Sequence, residues 1–231
     1  MIQITWLGHA TFEIQFESGE VLILDPWIEG NPAYPEKHKI QKADAIAVSH
    51  AHGDHLGGAV PLAKQFRSKV VAMVEVAGWC AAKGVNNTIG FNKGGTVDLG
   101  FVKLTMTHAL HSSSIQDGDK MIYGGEAAGY ILTLKDGRRA YFAGDTSVFS
   151  EMGLYADIYH PELAFLPIGD HYTMGPEEAA YAGRLLKVKQ IIPMHYGTFP
   201  ILTGRPEQLE EKLSGSGIQV LNLKPGQPVS W

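Results

Sequence analysis

The sequence predicts an α+β chain built from two similar αβ halves, with two sheets facing each other and helices on the outside. Three observations carry that prediction. Strands precede helices in each half, by the spacing of apolar residues. Each half also runs hairpin, acid, connection, buried strand, Gly-Asp-His: residues 45–48 lead to Gly53-Asp54-His55, and residues 163–168 lead into Gly169-Asp170-His171. No shift in composition separates the halves, so a single domain over residues 1–231 is expected.

In chain order, residues 2–6 and 11–16 alternate apolar and polar side chains, as half-buried strands do, and Ser18-Gly19 turns the chain. Residues 21–24 are continuously apolar, a buried strand ending at Asp25-Pro26. Gly30, Pro32 and Pro35 mark residues 27–42 as irregular. The buried strand 45–48 then runs into a histidine-rich loop. Residues 60–66 read as a helix, 69–73 as a strand, 74–83 as a helix stopped by Gly84, and 86–95 as loop. Residues 96–99 and 101–107 pair as strands and lead into His108-Ala109-Leu110-His111. Residues 112–125 read as a long polar loop able to cover a substrate. A hairpin, 129–134 with 139–143, ends in Gly144-Asp145-Thr146. After the buried strand 163–168, Pro176 and Glu177-Glu178 start a helix over 176–186. Strand 190–194 stops at His195, a helix covers 206–213, and 219–223 is the last strand.

Composition narrows the function classes. With 45% hydrophobic and 19% charged residues, the chain is ordinary globular protein able to bury a substantial core. A net charge of −5 supplies no general basic surface, which argues against nonspecific nucleic-acid binding. The single cysteine, Cys80, rules out an internal disulfide and reads as a small buried hydrophobe. The N-terminus alternates like a strand and lacks the pattern of a signal peptide, and no apolar run approaches the ~20 residues of a membrane span. A reducing cytoplasm is the expected location.

The chemistry concentrates in Ser49-His50-Ala51-His52-Gly53-Asp54-His55-Leu56-Gly57-Gly58. Four ligand-type side chains fall within six residues at the end of a strand. Imidazole and carboxylate at that density suit zinc, manganese or iron. Further donors stand at later strand ends, at His111, Asp145 and His195. No serine or cysteine stands out as a nucleophile. Gly57 and Gly58 are expected to let the backbone turn into the following helix.

The string His50-x-His52-x-Asp54-His55 resembles the signature of the metallo-β-lactamase superfamily. His111, Asp145 and His195 match its later ligand motifs in order, and Asp25 matches its early aspartate. Leu7-Gly8-His9-Ala10, His108-Ala109-Leu110-His111-Ser112 and Leu166-Pro167-Ile168-Gly169-Asp170 are similar to strings of UPF0173-type metal-dependent hydrolases and of ascorbate-6-phosphate lactonases. The resemblance spans roughly Trp6 to Gly197. It implies a four-layer αββα sandwich with a dinuclear metal site. His50, His52 and His111 would hold one ion, Asp54, His55 and His195 the second, and Asp145 would bridge them. Two divalent ions are implied, zinc first, with manganese or iron as alternatives. Metal binding lowers the pKa of water from ~15.7 toward ~7, giving a hydroxide able to attack an ester, a lactone or a phosphodiester.

The same resemblance orders the remaining candidates. It favours His111 over His108 as the ligand, leaving His108 a supporting or substrate-facing role. His9 stands where the family often has a histidine near the metals. It either orients substrate or pairs with Asp25, or it is a turn histidine with local partners. With Asp54 and Asp170 it completes the catalytic candidates. Asp25 is expected to buttress the ligand loops. His171 fits no pattern, and His38 and His160 read as solvated. Tyr196 and Thr198 stand beside His195, either reaching substrate or packing. The partner implied is a small anionic substrate. A phosphodiesterase or nuclease acting on nucleotides or RNA is the alternative, although no clamp domain is present. Di-iron oxidoreductases of the fold commonly carry glutamate at the position of His52. Complete ligation argues against a non-catalytic metal-binding protein. An oligomeric assembly is compatible with the sequence.

Overall fold

The computed structural model describes residues 1–231, which divide into two compact units. The first comprises residues 1–95, 112–127 and 223–231, and the second residues 96–111 and 128–222. No helix is long and apolar enough to cross a membrane.

In the first unit, β1 (Gln3–Trp6), β2 (Phe12–Gln15) and β3 (Val21–Leu24) form an antiparallel meander. β4 (Ala45–Val48) joins β3 in parallel. The histidine-rich segment that follows winds into one helical turn, α1 (Gly53–Leu56), and then α2 (Ala59–Phe66). β5 (Lys69–Met73) pairs in parallel with β4, and α3 (Val74–Ala82) follows it directly. β6 (Thr88–Phe91) then pairs in parallel with β5. Helices α2 and α3 pack against strands β4 to β6. β3 and β4 are buried at every residue, which is why they read as continuous apolar runs rather than alternating ones.

In the second unit, β7 (Thr96–Asp98) and β8 (Val102–His108) are an antiparallel pair. The chain returns to the first unit for a two-stranded hairpin, β9 (Ser114–Asp117) with β10 (Lys120–Tyr123). β11 (Ala128–Leu134) then pairs with β8, and β12 (Arg139–Phe142) with β11, both antiparallel. After α4 (Met152–Tyr159), β13 (Leu163–Pro167) adds in parallel to β12. α5 (Pro176–Leu185), β14 (Gln190–Met194), α6 (Pro206–Lys212) and β15 (Gln219–Val220) complete the unit, with β14 and β15 again parallel. β16 (Pro228–Ser230) closes the first sheet beside β1.

The two sheets share one topology. The first runs β16-β1-β2-β3-β4-β5-β6 and the second, read from its β7 edge, β7-β8-β11-β12-β13-β14-β15. In each, three antiparallel pairings are followed by three parallel ones. The duplication read from Gly-Asp-His therefore extends to seven strands. Candidate donors follow the second strand of each sheet (His9 after β1, His111 after β8) and strands at the fourth, fifth and sixth positions, all of which run in the same direction within their sheet and so end along one edge.

Several expectations need correction. Residues 86–95 contain β6. Its Gly90 reads as loop, but a Cβ there would lie 3.2 Å from the Val74 backbone, so glycine permits the close approach of α3. Residues 112–125 form the β9–β10 hairpin, turned at Gly118 with φ +61°, in a glycine-first two-residue loop that suits a II′ turn. α4 lacks a side-chain cap and carries Gly153, so nothing marks its start in sequence. The last strand is β16, and β15 stops at Val220.

Candidate metal centre

In the first unit, β3 delivers Asp25 and β4 delivers Ser49 and His50, all three buried. Asp25 Oδ1 accepts the Ser49 backbone N–H at 2.6 Å, and its Oδ2 accepts the Ser49 hydroxyl at 2.5 Å. The same Oδ2 stands 2.8 Å from His55 Nδ1. A carboxylate only accepts, so Nδ1 carries the proton and Nε2 of His55 keeps its lone pair. Burial pushes the Asp25 carboxyl above the usual carboxylate range, against the lowering pull of His55 and Ser49. The Ser49 hydroxyl proton is committed to Asp25. His50 Nδ1, 3.0 Å from that oxygen, must therefore donate to it, which leaves Nε2 of His50 basic. This Nε2 lies 3.0 Å from His52 Nδ1. Donor atoms of Asp25, His50 and His55 all lie within 4.8 Å of one another.

Asp54 sits between two imidazoles. Its Oδ2 is 3.1 Å from His9 Nε2 and 3.9 Å from His55 Nε2. His9 therefore pairs with Asp54, and the pairing with Asp25 considered from sequence is replaced by that of His55. Trp6 Nε1–H donates to the His9 carbonyl at 2.9 Å, and Trp27 packs edge-on against the His9 ring at 5.0 Å. Both hold the buried imidazole in place. Gly57 and Gly58 form the turn from α1 into α2, as expected, with ordinary right-handed dihedrals. A Cβ on Gly58 would lie 2.7 Å from the Pro26 carbonyl oxygen, and glycine is required there for close approach to the residue after Asp25.

In the second unit, Asp145 is buried, and two imidazoles converge on one of its oxygens. His195 Nε2 is 2.9 Å and His111 Nε2 3.6 Å from Oδ2. Thr146 Oγ1 accepts the Leu110 N–H at 3.0 Å, locking the turn that carries His111 to the one that carries Asp145. A Cβ on Gly169 would lie 2.1 Å from the His195 carbonyl oxygen, so this glycine lets the two strand ends meet. His108 turns away from this group: its ring packs edge-on against Phe149 at 5.3 Å, and its N–H donates to the Tyr155 hydroxyl at 3.0 Å.

The second Gly-Asp-His does not repeat the first. Asp170 and His171 are exposed. Asp170 Oδ1 accepts the His171 N–H at 2.7 Å, and the His171 ring lies edge-on to Tyr172 at 4.4 Å. Tyr196 donates its hydroxyl hydrogen to Asn222 Oδ1 at 3.4 Å, and Thr198 is buried. His38 is paired with Glu13 at 3.3 Å rather than merely solvated. Backbone strain marks the donor segments. Of eight non-glycine residues with positive φ, five are His9 (55°), Asp25 (42°), Asp170 (66°), His171 (59°) and His195 (56°).

The donors suit a divalent cation. Basic imidazole nitrogens and carboxylate oxygens converge, the second nitrogens of His50 and His55 are tied to a hydroxyl and a carboxylate, and the groups are largely buried. Ser49 and Thr146 were not singled out in the sequence, although each is a hydroxyl residue adjoining a candidate ligand.

A family model described as a β-lactamase superfamily domain matches residues 21–196, which include every candidate metal ligand. A UPF0173 metal-dependent hydrolase of Solibacter usitatus is 58% identical over 230 residues, covering 100% of both chains. A second, from Koribacter versatilis, is 48% identical over 98% of this chain and 97% of its own. Among solved structures, the metallo hydrolase Igni18 from the archaeon Ignicoccus hospitalis superposes with a TM-score of 0.86 at 34% identity, over 99% of this chain and 97% of its own.

Proposed function

Because the chain belongs to the metallo-β-lactamase superfamily, with that fold and as a metal-dependent hydrolase, we propose that it cleaves an ester-type bond, a lactone or phosphoester, in a small anionic substrate. The observation that carries this reading is the sharing of one Asp145 oxygen by His111 and His195. A carboxylate so placed suits a bridge between two cations. In this reading His50, His52 and His111 would hold one ion, Asp54, His55 and His195 the other, and Asp145 would serve both. When bound, the ions supply Lewis-acid activation of water and stabilise negative charge developing at the scissile group.

The chain's own residues have defined tasks in this reading. Asp25 holds the His55 proton on Nδ1, and Ser49 does the same for His50, so both rings present Nε2. His9 orients Asp54, which holds or passes a proton at Oδ2. Asp170, exposed on its strand-end turn, contacts substrate. The absence of an activated serine or cysteine fits water as the nucleophile; Cys80 is buried with its thiol pushed up to about 11.

The test is metal analysis of the purified protein, followed by a panel of lactone, phosphomonoester, phosphodiester and thioester substrates on the metal-stripped and reloaded enzyme. The expected result is roughly two ions per chain, with zinc the first candidate, and turnover of a lactone or phosphoester that chelation removes. A preference for phosphodiesters alone would favour the nucleotide reading. Turnover unchanged by complete metal removal would overturn both.

A further inference from the structure

Beside the ligand segment of the first unit lies a cavity of about 410 Å³. Its walls are Trp27, Ile28, Pro61 and Leu62, with Glu29 and Gln65 as polar lining side chains. Gly53, between His52 and Asp54, opens onto it, and a Cβ there would meet no atom within 4 Å. The volume sits at the low end of the roughly 300–1,000 Å³ of small-molecule sites, enough for part of a ligand rather than a whole one. One wall residue is coupled to the proposed chemistry: Trp27 packs on His9, and His9 bonds Asp54.

From this we infer that the cavity is the subsite for the non-reacting body of the substrate, and that it selects an apolar group tipped with an amine or hydroxyl. The inference rests on the hydrolase reading for what happens at the scissile end. The selection follows from the lining. An indole, an isoleucine, a proline and a leucine gain free energy by covering an alkyl or aryl surface. The only charge among the lining residues is the Glu29 carboxylate, and beside it Gln65 can accept a hydrogen bond. A carboxylate- or phosphate-tipped body would meet Glu29 with like charge. The substrate class is thus an amphiphilic ester whose negative charge sits at the reactive end: the reactive group faces Asp54 and the histidines, and the body lies between Trp27 and α2.

The experiment measures binding of hexylamine, hexanol and hexanoate to the full-length protein by ligand-observed NMR. It is paired with hydrolysis of esters of increasing chain length by the metal-loaded enzyme. Hexylamine should bind best and hexanoate worst. Binding should strengthen roughly fourfold for each added methylene that is buried. Gln65→Trp, an exposed change on α2 that fills the cavity, should abolish binding of all three, and Glu29→Gln should remove the advantage of the amine over the alcohol. Equal binding of hexanoate and hexylamine, or binding untouched by Gln65→Trp, would overturn the subsite. Binding as expected in a protein that hydrolyses no ester would instead sink the ester-hydrolase reading and leave the subsite standing.

Discussion

Asp25 and Asp145 occupy the same station in the two sheets: each follows the fourth strand, is buried, and pairs with an imidazole. Asp25 meets His55 through Nδ1 at 2.8 Å, whereas Asp145 meets His195 through Nε2 at 2.9 Å. One duplicated position therefore carries two chemistries. Asp25 also accepts two bonds from Ser49, which commits it to holding side chains in place. Asp145 instead turns one oxygen toward two Nε2 atoms, those of His111 and His195.

The first prediction tests that division. Asp25→Asn keeps the size, and where its amide N–H₂ faces His55 Nδ1 the His55 proton moves to Nε2, the nitrogen proposed to bind metal. Zinc affinity, measured by chelator competition, should fall 10- to 100-fold, roughly the usual effect of losing a ligand's supporting partner. Asp25→Ala should further lower stability, by on the order of 3 kcal/mol in urea, because Ser49 N–H, Ser49 Oγ–H and His55 Nδ1–H lose a buried acceptor. Native zinc affinity in Asp25→Asn would show that this carboxylate does not set the tautomer.

Gly58 and Gly53 make a contrasting pair five residues apart. Gly58→Ala puts a methyl 2.7 Å from the Pro26 carbonyl oxygen, and backbone must move. A loss of about 1–3 kcal/mol is expected from such overpacking. Gly53→Ala meets open space and should leave stability within about 0.5 kcal/mol of native. Urea midpoints of the two variants decide this, and equal midpoints would remove close packing as the reason for Gly58.

Much of this arrangement was legible in the sequence because period-two alternation and continuous apolar runs respond directly to burial. Strands β1 to β5 and β11 to β14 could be read that way, and the candidate donors fall at or just beyond strand ends. What could not be read depended on long-range contact. Gly90 looks like a loop residue until α3 packs on it. Ser114 to Tyr123 does not read as a hairpin because Met121, Ile122 and Tyr123 of β10 are apolar yet exposed, so no alternation of burial marks the strand. The second Gly-Asp-His repeats the first in letters. Yet Asp170 and His171 are exposed, and composition cannot show that a duplicated motif has lost its burial.

Ser113 ties the β9–β10 hairpin to the ligand segment. Its Oγ accepts the Ala51 N–H at 3.2 Å and donates to the Gly124 carbonyl at 3.0 Å. Gly124 leaves room for Ala51, whose Cβ would stand 2.4 Å from a Cβ there. Ser113→Ala should cost about 1–2 kcal/mol and speed amide exchange at Ala51 and in the hairpin before the rest of the unit. Exchange rates unchanged at those amides would show that the hairpin is held by other contacts.

Cys80 gives a pH-dependent prediction away from the donors. It is fully buried on α3, and desolvation raises its thiol from 9.0 to about 11. The folded state thus holds the proton more tightly than the unfolded state. The contribution is fully present below pH 9.0 and is lost as pH rises through about 11. A difference of that size corresponds to about 3 kcal/mol. Cys80→Ala lacks this linkage and suffers only the loss of one buried sulfur. The native chain should therefore be the more stable of the two at pH 8, and its advantage should shrink steadily between pH 9 and 11 in paired urea titrations. Other lysines and tyrosines titrate in that range, but they do so in both proteins and cancel in the difference. A gap that stays constant over that range would mean that the thiol ionises as easily in the folded chain as in the unfolded one.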